Sequence, residues 1–286
     1  MADDAERLAE VNERLALALP EALCELDHDD AWQLLVVTIL SAQARDAVIN
    51  LIRPELFARW PTPAALAAAP QEEVEVVVKR SGYFRQKAKA IRECAQAIVD
   101  RHEGEVPDTH EALVALPGAS HKTANLVLGI AFDVASGIVV DTHVARVSAR
   151  LGLVSAKAKP AKIESQLCKL APRETWIALS HRLILHGRHV CKAKGPDCAN
   201  CAIHELCPSH VGAPSEDWRT RADNEGRLFE VRGDRAAAGW PPAPGGSPAS
   251  NSRSDQVPSS SLESEPEPER EPEPVYAPVE EDEDDF

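Results

Sequence analysis

The stretch CKAKGPDCANCAIHELC, residues 191–207, holds four of the seven cysteines in this chain. Six, two and five residues separate them, at Cys191, Cys198, Cys201 and Cys207. Thiolate is a soft ligand that suits both zinc and iron–sulfur clusters. Structural zinc sites usually combine two short cysteine pairs, whereas only one such pair, Cys198 and Cys201, occurs here. The spacing therefore favours a [4Fe–4S] cluster, with a zinc knuckle as the alternative.

The rest of the sequence limits the class of protein. Its 286 residues allow one or two domains, and no apolar run is long enough to cross a membrane. The first ten residues, MADDAERLAE, are polar and acidic, unlike a secretory signal peptide. We therefore expect a cytoplasmic protein, in which clustered cysteines bind metal rather than form disulfides. The isolated Cys24, Cys94 and Cys168 lie among apolar residues and are predicted to be buried packing residues.

Charge is distributed unevenly along the chain, whose formal net charge is −15. Residues 241–286 contain thirteen Asp or Glu and two Arg, together with many Pro and Ser. This composition cannot bury enough apolar surface to fold, so we expect the acidic tail to be disordered. Residues 111–210 carry twelve Lys or Arg against seven Asp or Glu. Such a basic segment fits a polyanionic partner such as DNA, and equally an ordinary solvated face.

Residues 1–210 are predicted to be almost entirely helical, because apolar residues recur every three or four positions. Clear examples are AWQLLVVTILSAQ (31–43), QKAKAIRECAQAIVDRH (86–102) and ETWIALSHRLILHG (174–187). Pro and Gly residues, among them Pro54 and Gly118, mark the expected breaks between helices. The sequence has no alternating strand pattern and no fixed-period repeat, so it predicts an all-α globular body.

Two further segments contain residue types suited to chemistry: LPGASHKTA (116–124) and IVVDTHV (138–144). A Pro-Gly turn between helices leaves backbone N–H groups free at the start of the next helix, where they bind phosphate. Asp141 is well placed to cap the helix that follows it. Taken singly, the first segment is an ordinary turn between helices and Asp141 is an ordinary cap.

Taken together and in this order, the segments resemble the endonuclease III family of DNA repair glycosylases. The shared motifs are LPGxxxKTAN, VDTHVxRVxxRLGL and the HGR-containing cysteine segment, and SAQARD (41–46) and SGYFRQKA (81–88) are similar to two more. The resemblance covers roughly residues 5–210. The segment from about residue 213 has no counterpart in the common core of the family.

The resemblance implies an all-α fold of two helical lobes with a DNA-binding cleft between them. One lobe is a six-helix barrel that contains a helix-hairpin-helix at 116–124, and the other holds the [4Fe–4S] cluster. The implied segments are an N-terminal helix that packs with the cluster lobe (1–26), the barrel (27–136), the cluster lobe (137–212), and a mostly disordered extension (213–286).

The resemblance also implies the reaction, which is excision of oxidised pyrimidines from double-stranded DNA followed by β-elimination at the abasic site. Lys122 matches the nucleophile of the family, whose amine forms a Schiff base with the sugar. Asp141 matches the catalytic aspartate, which stabilises an oxocarbenium-like transition state and accepts a proton. We expect a monomer that is nucleoid-associated if its source is bacterial, with an acidic tail that solubilises the protein or contacts a partner.

The DNA contacts and cluster ligands implied by the resemblance extend along the whole helical body. For DNA, these are Gln43 and Tyr83, which fill the gap left by the extruded nucleotide, Gly118 and Ser120 in the hairpin, and Lys192 and Lys194, which contact phosphates. The cluster ligands are Cys191, Cys198, Cys201 and Cys207. The hairpin of the family usually reads G-x-G, whereas Ser120 stands at the second glycine position. If that position needs a positive φ, the serine costs about 1 kcal/mol.

Three other interpretations are weighed against this one. The adenine-mismatch branch of the same superfamily lacks the catalytic lysine and adds a folded C-terminal domain, so Lys122 and the tail argue against it. A non-catalytic iron–sulfur DNA-binding protein needs neither Lys122 nor Asp141. A ferredoxin-like electron carrier is small and lacks a helical body of this size.

Overall fold

The computed structural model describes residues 2–20 and 24–232, which form helices and loops and contain no β-strand. The prediction of an all-α fold is therefore confirmed for this part of the chain. Three short 3-10 segments lie at Lys79–Ser81, Arg173–Thr175 and His204–Leu206. The α-helices are α1 (Ala2–Ala18), α2 (Ala31–Leu40), α3 (Asp46–Arg59), α4 (Pro63–Ala67), α5 (Gln71–Val78), α6 (Phe84–Arg101), α7 (His110–Val114), α8 (His121–Phe132), α9 (Thr142–Arg150), α10 (Pro160–Leu170), α11 (Trp176–His189) and α12 (Trp218–Arg232).

Helix α2 lies in the centre of the apolar core. Its sequence, AWQLLVVTIL, is apolar almost all round, and such a helix is stable only when other elements surround it. Eight of its ten residues are buried, and it packs against α3, α6 and α8. Asp30 caps its start by accepting a hydrogen bond from the Gln33 N–H at 2.7 Å. Helix α8, which begins at the predicted hairpin, therefore rests on the most buried element of the fold.

The helices pack mainly in two groups. In the first group, α6 contacts α4 and α5, α3 contacts α5, and α7 contacts α8. In the second group, α1 contacts α10, α11 and α12, and α9 contacts α11. One apolar cluster nevertheless runs through both groups, from Leu8 in α1 to Leu183 in α11. Among the described residues, no helix is both long and apolar enough to span a membrane.

The isolated cysteines behave largely as predicted. Cys24 and Cys94 are buried, and burial raises the pKa of each thiol to about 12. Cys168 is half-buried and packs against the core. These three thiols are therefore packing residues, well suited to remaining protonated and unreactive.

One expectation from the sequence is wrong. Pro54 does not break a helix but lies inside α3, which continues to Arg59 because proline removes only one of its hydrogen bonds. The sequence of residues 211–240 is ambiguous, and within it Trp218–Arg232 forms helix α12. This helix is ordered because charged residues on its buried face find partners in the rest of the protein, as detailed below. The predicted acidic tail, 241–286, lies outside the described residues.

The burial of α2 predicts a large difference between two leucines. Leu35 is fully buried in α2, whereas Leu51 on α3 is 64% exposed. Leu35→Ala is expected to lower the free energy of unfolding by about 2–5 kcal/mol, because it leaves a cavity in the core. The same change at Leu51 is expected to alter it by no more than about 0.5 kcal/mol. Urea denaturation measures both, and equal losses would contradict the central position of α2.

Candidate functional site

The turn between α7 and α8 requires glycine at position 118 for two reasons. Gly118 has a φ of +78°, a left-handed conformation that side chains disfavour. A Cβ atom there would also lie 3.1 Å from the Cβ of Ala90 and 3.2 Å from Cγ2 of Ile39. The hairpin backbone therefore packs directly on α6 and α2, which fixes the direction in which α8 begins.

Ser120 is the N-cap of α8 and is not strained. Its φ of −94° is ordinary extended backbone, and its Oγ accepts a hydrogen bond from the Thr123 N–H at 3.1 Å. The cost of about 1 kcal/mol considered for a positive φ at this position therefore does not arise. Serine is a favourable residue here because its hydroxyl satisfies a backbone N–H that the helix leaves unpaired.

Lys122 and Asp141 stand at the beginnings of two successive helices. Lys122 is the second residue of α8, and its side chain is exposed. Asp141 caps α9 as predicted, and its Oδ1 accepts hydrogen bonds at 2.8 Å from the N–H groups of both His143 and Val144. Both bonds end on one carboxylate oxygen, so the cap does not use Oδ2. Within the described residues no ion pair joins Lys122 to Asp141, and the amine is not held by this carboxylate.

A hydrogen-bond network centred on Glu164 of α10 fixes the start of α8. Its Oε2 lies 2.8 Å from Nε2 of His121, and its Oε1 accepts from Nδ2 of Asn125 at 2.8 Å. The Ser136 hydroxyl in turn donates to Oδ1 of Asn125 at 2.8 Å. Gly137 leaves room for this network, because a Cβ atom there would overlap the Glu164 carboxylate. The network therefore connects the first turn of α8 to the segment that leads to Asp141.

The start of α9 is fixed by α11. The Val139 N–H donates to the Ser180 hydroxyl at 3.0 Å, which holds the segment before Asp141 on α11. Gly187 of α11 allows close approach, since a Cβ atom there would lie 2.8 Å from Cβ of His143.

The hydrogen bonds of His143 identify its tautomer. An arginine only donates, so the 3.1 Å contact from Arg146 makes Nδ1 of His143 an acceptor and places its proton on Nε2. Burial also lowers the pKa of His143, which keeps the ring neutral near pH 7. The residue beside the Asp141 cap therefore adds no positive charge there.

Gln43 and Tyr83 share an unusual backbone conformation. Both are exposed, and both have a positive φ, 54° for Gln43 and 46° for Tyr83. Among the non-glycine residues of the described chain, only Glu103 and Asp133 also have one. A non-glycine residue in this region costs about 1–3 kcal/mol and tends to occur at functional sites. The structure thus gives these two positions a shared feature that the sequence did not predict.

The four clustered cysteines line one cavity of about 250 Å³ together with His186 and Arg150. No three His, Cys, Asp or Glu side chains in the described ranges are arranged to chelate a single metal ion. The cysteines therefore surround a space larger than one ion occupies.

Two arginines of α9 hold the beginning of the cysteine segment. Arg146 donates from Nε to the Cys191 carbonyl at 3.0 Å and from Nη2 to the Gly187 carbonyl at 2.8 Å. Arg150 donates to Cys191 Sγ at 3.2 Å and to the Lys192 carbonyl at 2.7 Å. Lys192 and Lys194 themselves are exposed on the loop 192–197. The loop backbone is therefore anchored while its two lysines face solvent.

The surroundings of the cavity shift the pKa values of two of its thiols in opposite directions. Burial by itself raises the pKa of Cys191, but hydrogen bonds from His186 and Arg150 outweigh it and lower that pKa below its usual value. Burial and the negative charges of the other three sulfurs raise the pKa of Cys207. Four thiolates together repel one another, so this donor set suits a positively charged group at its centre.

Several residues that support the site were not predicted from the sequence. Arg146 and Arg150 are four positions apart and so share one face of α9, a spacing that could have predicted a common target. Glu164 gives no such signal, because its partners lie about forty positions away in the sequence. His186 lies in the HGR motif, but its contact with the cysteines depends on the tertiary fold.

Comparison with known proteins identifies the class and then the family. Residues 36–173 match the family described as HhH-GPD superfamily base excision DNA repair protein. Endonuclease III of Synechocystis sp. is 45% identical over 209 residues, which are 73% of this chain and 95% of that relative. Endonuclease III of Escherichia coli K12 is 38% identical over 203 residues, which are 71% of this chain and 95% of that relative. The chain therefore belongs to the endonuclease III family.

Solved structures agree with this assignment. A trapped covalent intermediate of endonuclease III with DNA matches with a TM-score of 0.69 at 38% identity and covers 72% of this chain and 96% of its own. A thermostable thymine-DNA glycosylase, 20% identical, shares the fold with a TM-score of 0.65 over 71% of this chain and 96% of its own. The helix-hairpin-helix fold predicted from sequence is thus confirmed.

The cap at Ser120 leads to a stability prediction. Ser120→Ala is expected to lower the free energy of unfolding by about 1 kcal/mol, because the Thr123 N–H loses its partner. Ser120→Gly is expected to cost only a few tenths of a kcal/mol (~0.3), since glycine is a fair N-cap residue. Chemical denaturation of the two variants measures the difference. A glycine variant more stable than the natural protein would instead indicate a left-handed backbone at this position.

Proposed function

We propose that this protein is a bifunctional DNA N-glycosylase and AP lyase that removes oxidised pyrimidines and then cleaves on the 3′ side of the abasic site. Membership of the endonuclease III family supports this class of enzyme. The observation that carries the assignment of residues is the placement of an exposed amine, Lys122, and a capping carboxylate, Asp141, at the starts of two successive helices.

The proposed role of Asp141 is electrostatic in the first step. Breaking the N-glycosidic bond develops positive charge on the sugar, and a fixed anion nearby stabilises that charge. The two backbone N–H groups on Oδ1 orient the carboxylate, and Oδ2 is not used by the cap. One side chain can therefore hold α9 in place and still present negative charge to a bound nucleotide.

The proposed role of Lys122 is nucleophilic. Its neutral amine attacks C1′ as the damaged base leaves, and Asp141 accepts the proton that the amine gives up. Ring opening produces a protonated Schiff base, which makes a C2′ proton acidic. Loss of that proton forms a C2′–C3′ double bond and expels the 3′ phosphate. The exposure of Lys122 supports this role, because a nucleotide extruded from the duplex can reach it.

The proposed substrate is double-stranded DNA containing an oxidised pyrimidine or an abasic site. Backbone N–H groups after Gly118 would bind phosphate at the start of α8, while Lys192 and Lys194 would contact phosphates from the anchored loop. Gln43 and Tyr83 would fill the gap in the duplex. The packing of helices in two groups supports the proposed division into a barrel lobe (27–136) and a cluster lobe (137–212).

The proposed cofactor is a [4Fe–4S] cluster on Cys191, Cys198, Cys201 and Cys207. A cavity of about 250 Å³ suits a cluster of several atoms better than one zinc ion, whose bonds to sulfur are about 2.3 Å long. When bound, the cluster serves as a structural crosslink of the loop 192–197. Cytoplasmic, nucleoid-associated action as a monomer remains the prediction for the protein in a bacterial cell.

Variants of the two proposed catalytic residues test the function. On duplex DNA with thymine glycol, Lys122→Gln is expected to lose both strand cleavage and the covalent adduct that borohydride traps. Asp141→Asn is expected to lower the rate of base excision at least about 100-fold, because it removes the charge. Asparagine is a good N-cap, so the free energy of unfolding should change by less than about 0.5 kcal/mol.

Two outcomes of this experiment would favour the alternatives. Excision by the natural protein without any trapped adduct would favour an adenine-mismatch type of glycosylase. Binding without excision would favour a non-catalytic protein. Lys162→Gln, on α10, serves as a control for the loss of one positive charge and is expected to keep full activity.

The proposed cofactor predicts the metal content of the purified protein. Four iron and four acid-labile sulfide per chain are expected, because each of the four irons of the cluster binds one of the four cysteine thiolates. Colorimetric iron and sulfide assays measure the two contents, and an assay for zinc accompanies them. One zinc per chain without sulfide would contradict the cluster and support a zinc knuckle.

A further inference from the structure

Among its described side chains, helix α12 buries two charged ones, although it lies well beyond residues 36–173, which match the repair family. The side chains of Arg221 and Glu225 are fully buried. Removing charges from water costs several kcal/mol per ion unless partners compensate for it. The partners of these two residues therefore show what the helix is built to contact.

Arg221 links α12 to the cysteine segment and to the N-terminal helix. Its Nε donates to the Cys201 carbonyl at 2.8 Å, and its Nη2 forms an ion pair with Glu205. Glu205 also pairs with Arg14 of α1, whose Nη1 lies 2.8 Å from Oε2. The guanidinium of Arg14 in turn stacks over the Trp218 ring at 4.8 Å. These contacts link α1, α12 and the segment between Cys201 and Cys207 to one another.

Glu225 reaches the same segment from one helical turn further along. Its Oε1 accepts from Nδ1 of His186 at 2.7 Å, and its Oε2 accepts from the Ala202 N–H at 3.4 Å. The other ring nitrogen of His186, Nε2, lies 3.7 Å from Cys201 Sγ. The carboxylate therefore fixes both the backbone next to Cys201 and the imidazole ring that faces its sulfur.

Helix α12 is docked closely enough to hold these contacts. Ala222 is buried with Ala18, Leu185 and Ala202 in a small apolar cluster of its own. A Cβ atom on Gly226 would lie 2.9 Å from the Ala18 carbonyl oxygen, so α12 approaches the backbone of α1 where glycine permits it. By contrast, Asp223 and Arg227 on the opposite face are exposed.

We propose that α12 is a clamp on the cluster loop, in which Arg221 and Glu225 are positioning residues that hold Cys201 and slow the loss of the [4Fe–4S] cluster. The proposal rests on the cofactor assigned above. Arg221 and Glu225 each make one hydrogen bond to the backbone of residues 201–202, and Glu225 also holds the imidazole ring that faces Cys201 Sγ. Contacts that orient the ligands of a metal centre commonly change its metal affinity 10–100-fold when they are removed.

Iron release from the full-length holoprotein tests the clamp. The protein is purified without oxygen and then exposed to air with an iron chelator, at a temperature well below unfolding. Glu225→Leu is expected to release iron about tenfold faster than the natural protein, because His186 and the Ala202 N–H lose their acceptor. Glu225→Gln keeps one acceptor oxygen and is expected to be intermediate. Arg221→Met should also accelerate release.

Matched controls on the exposed face separate the clamp from a general effect of α12. Asp223→Leu and Arg227→Met make the same chemical changes at exposed positions and are expected to release iron at the natural rate. If Glu225→Leu or Arg221→Met does not fold, the rate of iron release from Glu225→Gln is compared with that from Asp223→Leu instead. Equal release rates in buried and exposed variants would overturn the clamp. If the natural protein contains no iron, the cofactor assignment fails and the clamp fails with it.

Discussion

The carboxylate of Glu164 holds the start of helix α8 and connects it to the segment that leads to Asp141. It binds His121 and Asn125 of α8, and Asn125 binds Ser136 in the segment that leads to Asp141. A neighbouring Gly137 admits the carboxylate because it has no side chain. Catalysis by a positioned amine and a positioned anion loses rate when either moves by about 1 Å. The Glu164 network fixes the start of α8, and the Val139–Ser180 hydrogen bond holds the segment before α9 on α11, so both are conditions of the proposed chemistry.

The start of each of these helices serves more than one purpose. Ser120 caps α8 with its hydroxyl. The amine of Lys122 and the other backbone N–H groups of the first turn stay available for the proposed contacts with DNA. Asp141 caps α9 with one oxygen only. Arg146 and Arg150, further along α9, hold the beginning of the cysteine segment. The same helix thus carries the proposed anion at its first turn and supports the proposed cluster at its last.

The sequence predicts those features that depend on local pattern. Cysteine spacing, the cap at Asp141 and the helical periodicity are all local, and the structure agrees with the cap and with the all-α fold. Helix α12 could not be predicted, because its order depends on pairing buried charges with residues such as His186, 39 positions away. The conformation of Ser120 was open for a similar reason, since the hairpin needs only Gly118 to be left-handed.

In the proposed reaction, the amine of Lys122 is the group that becomes joined to the sugar. The most direct measurement is peptide mapping by mass spectrometry after borohydride reduction of the protein bound to duplex DNA with an abasic site. The reduced deoxyribose remnant is expected on Lys122 alone. A remnant on another lysine or on the N-terminal amine would contradict it.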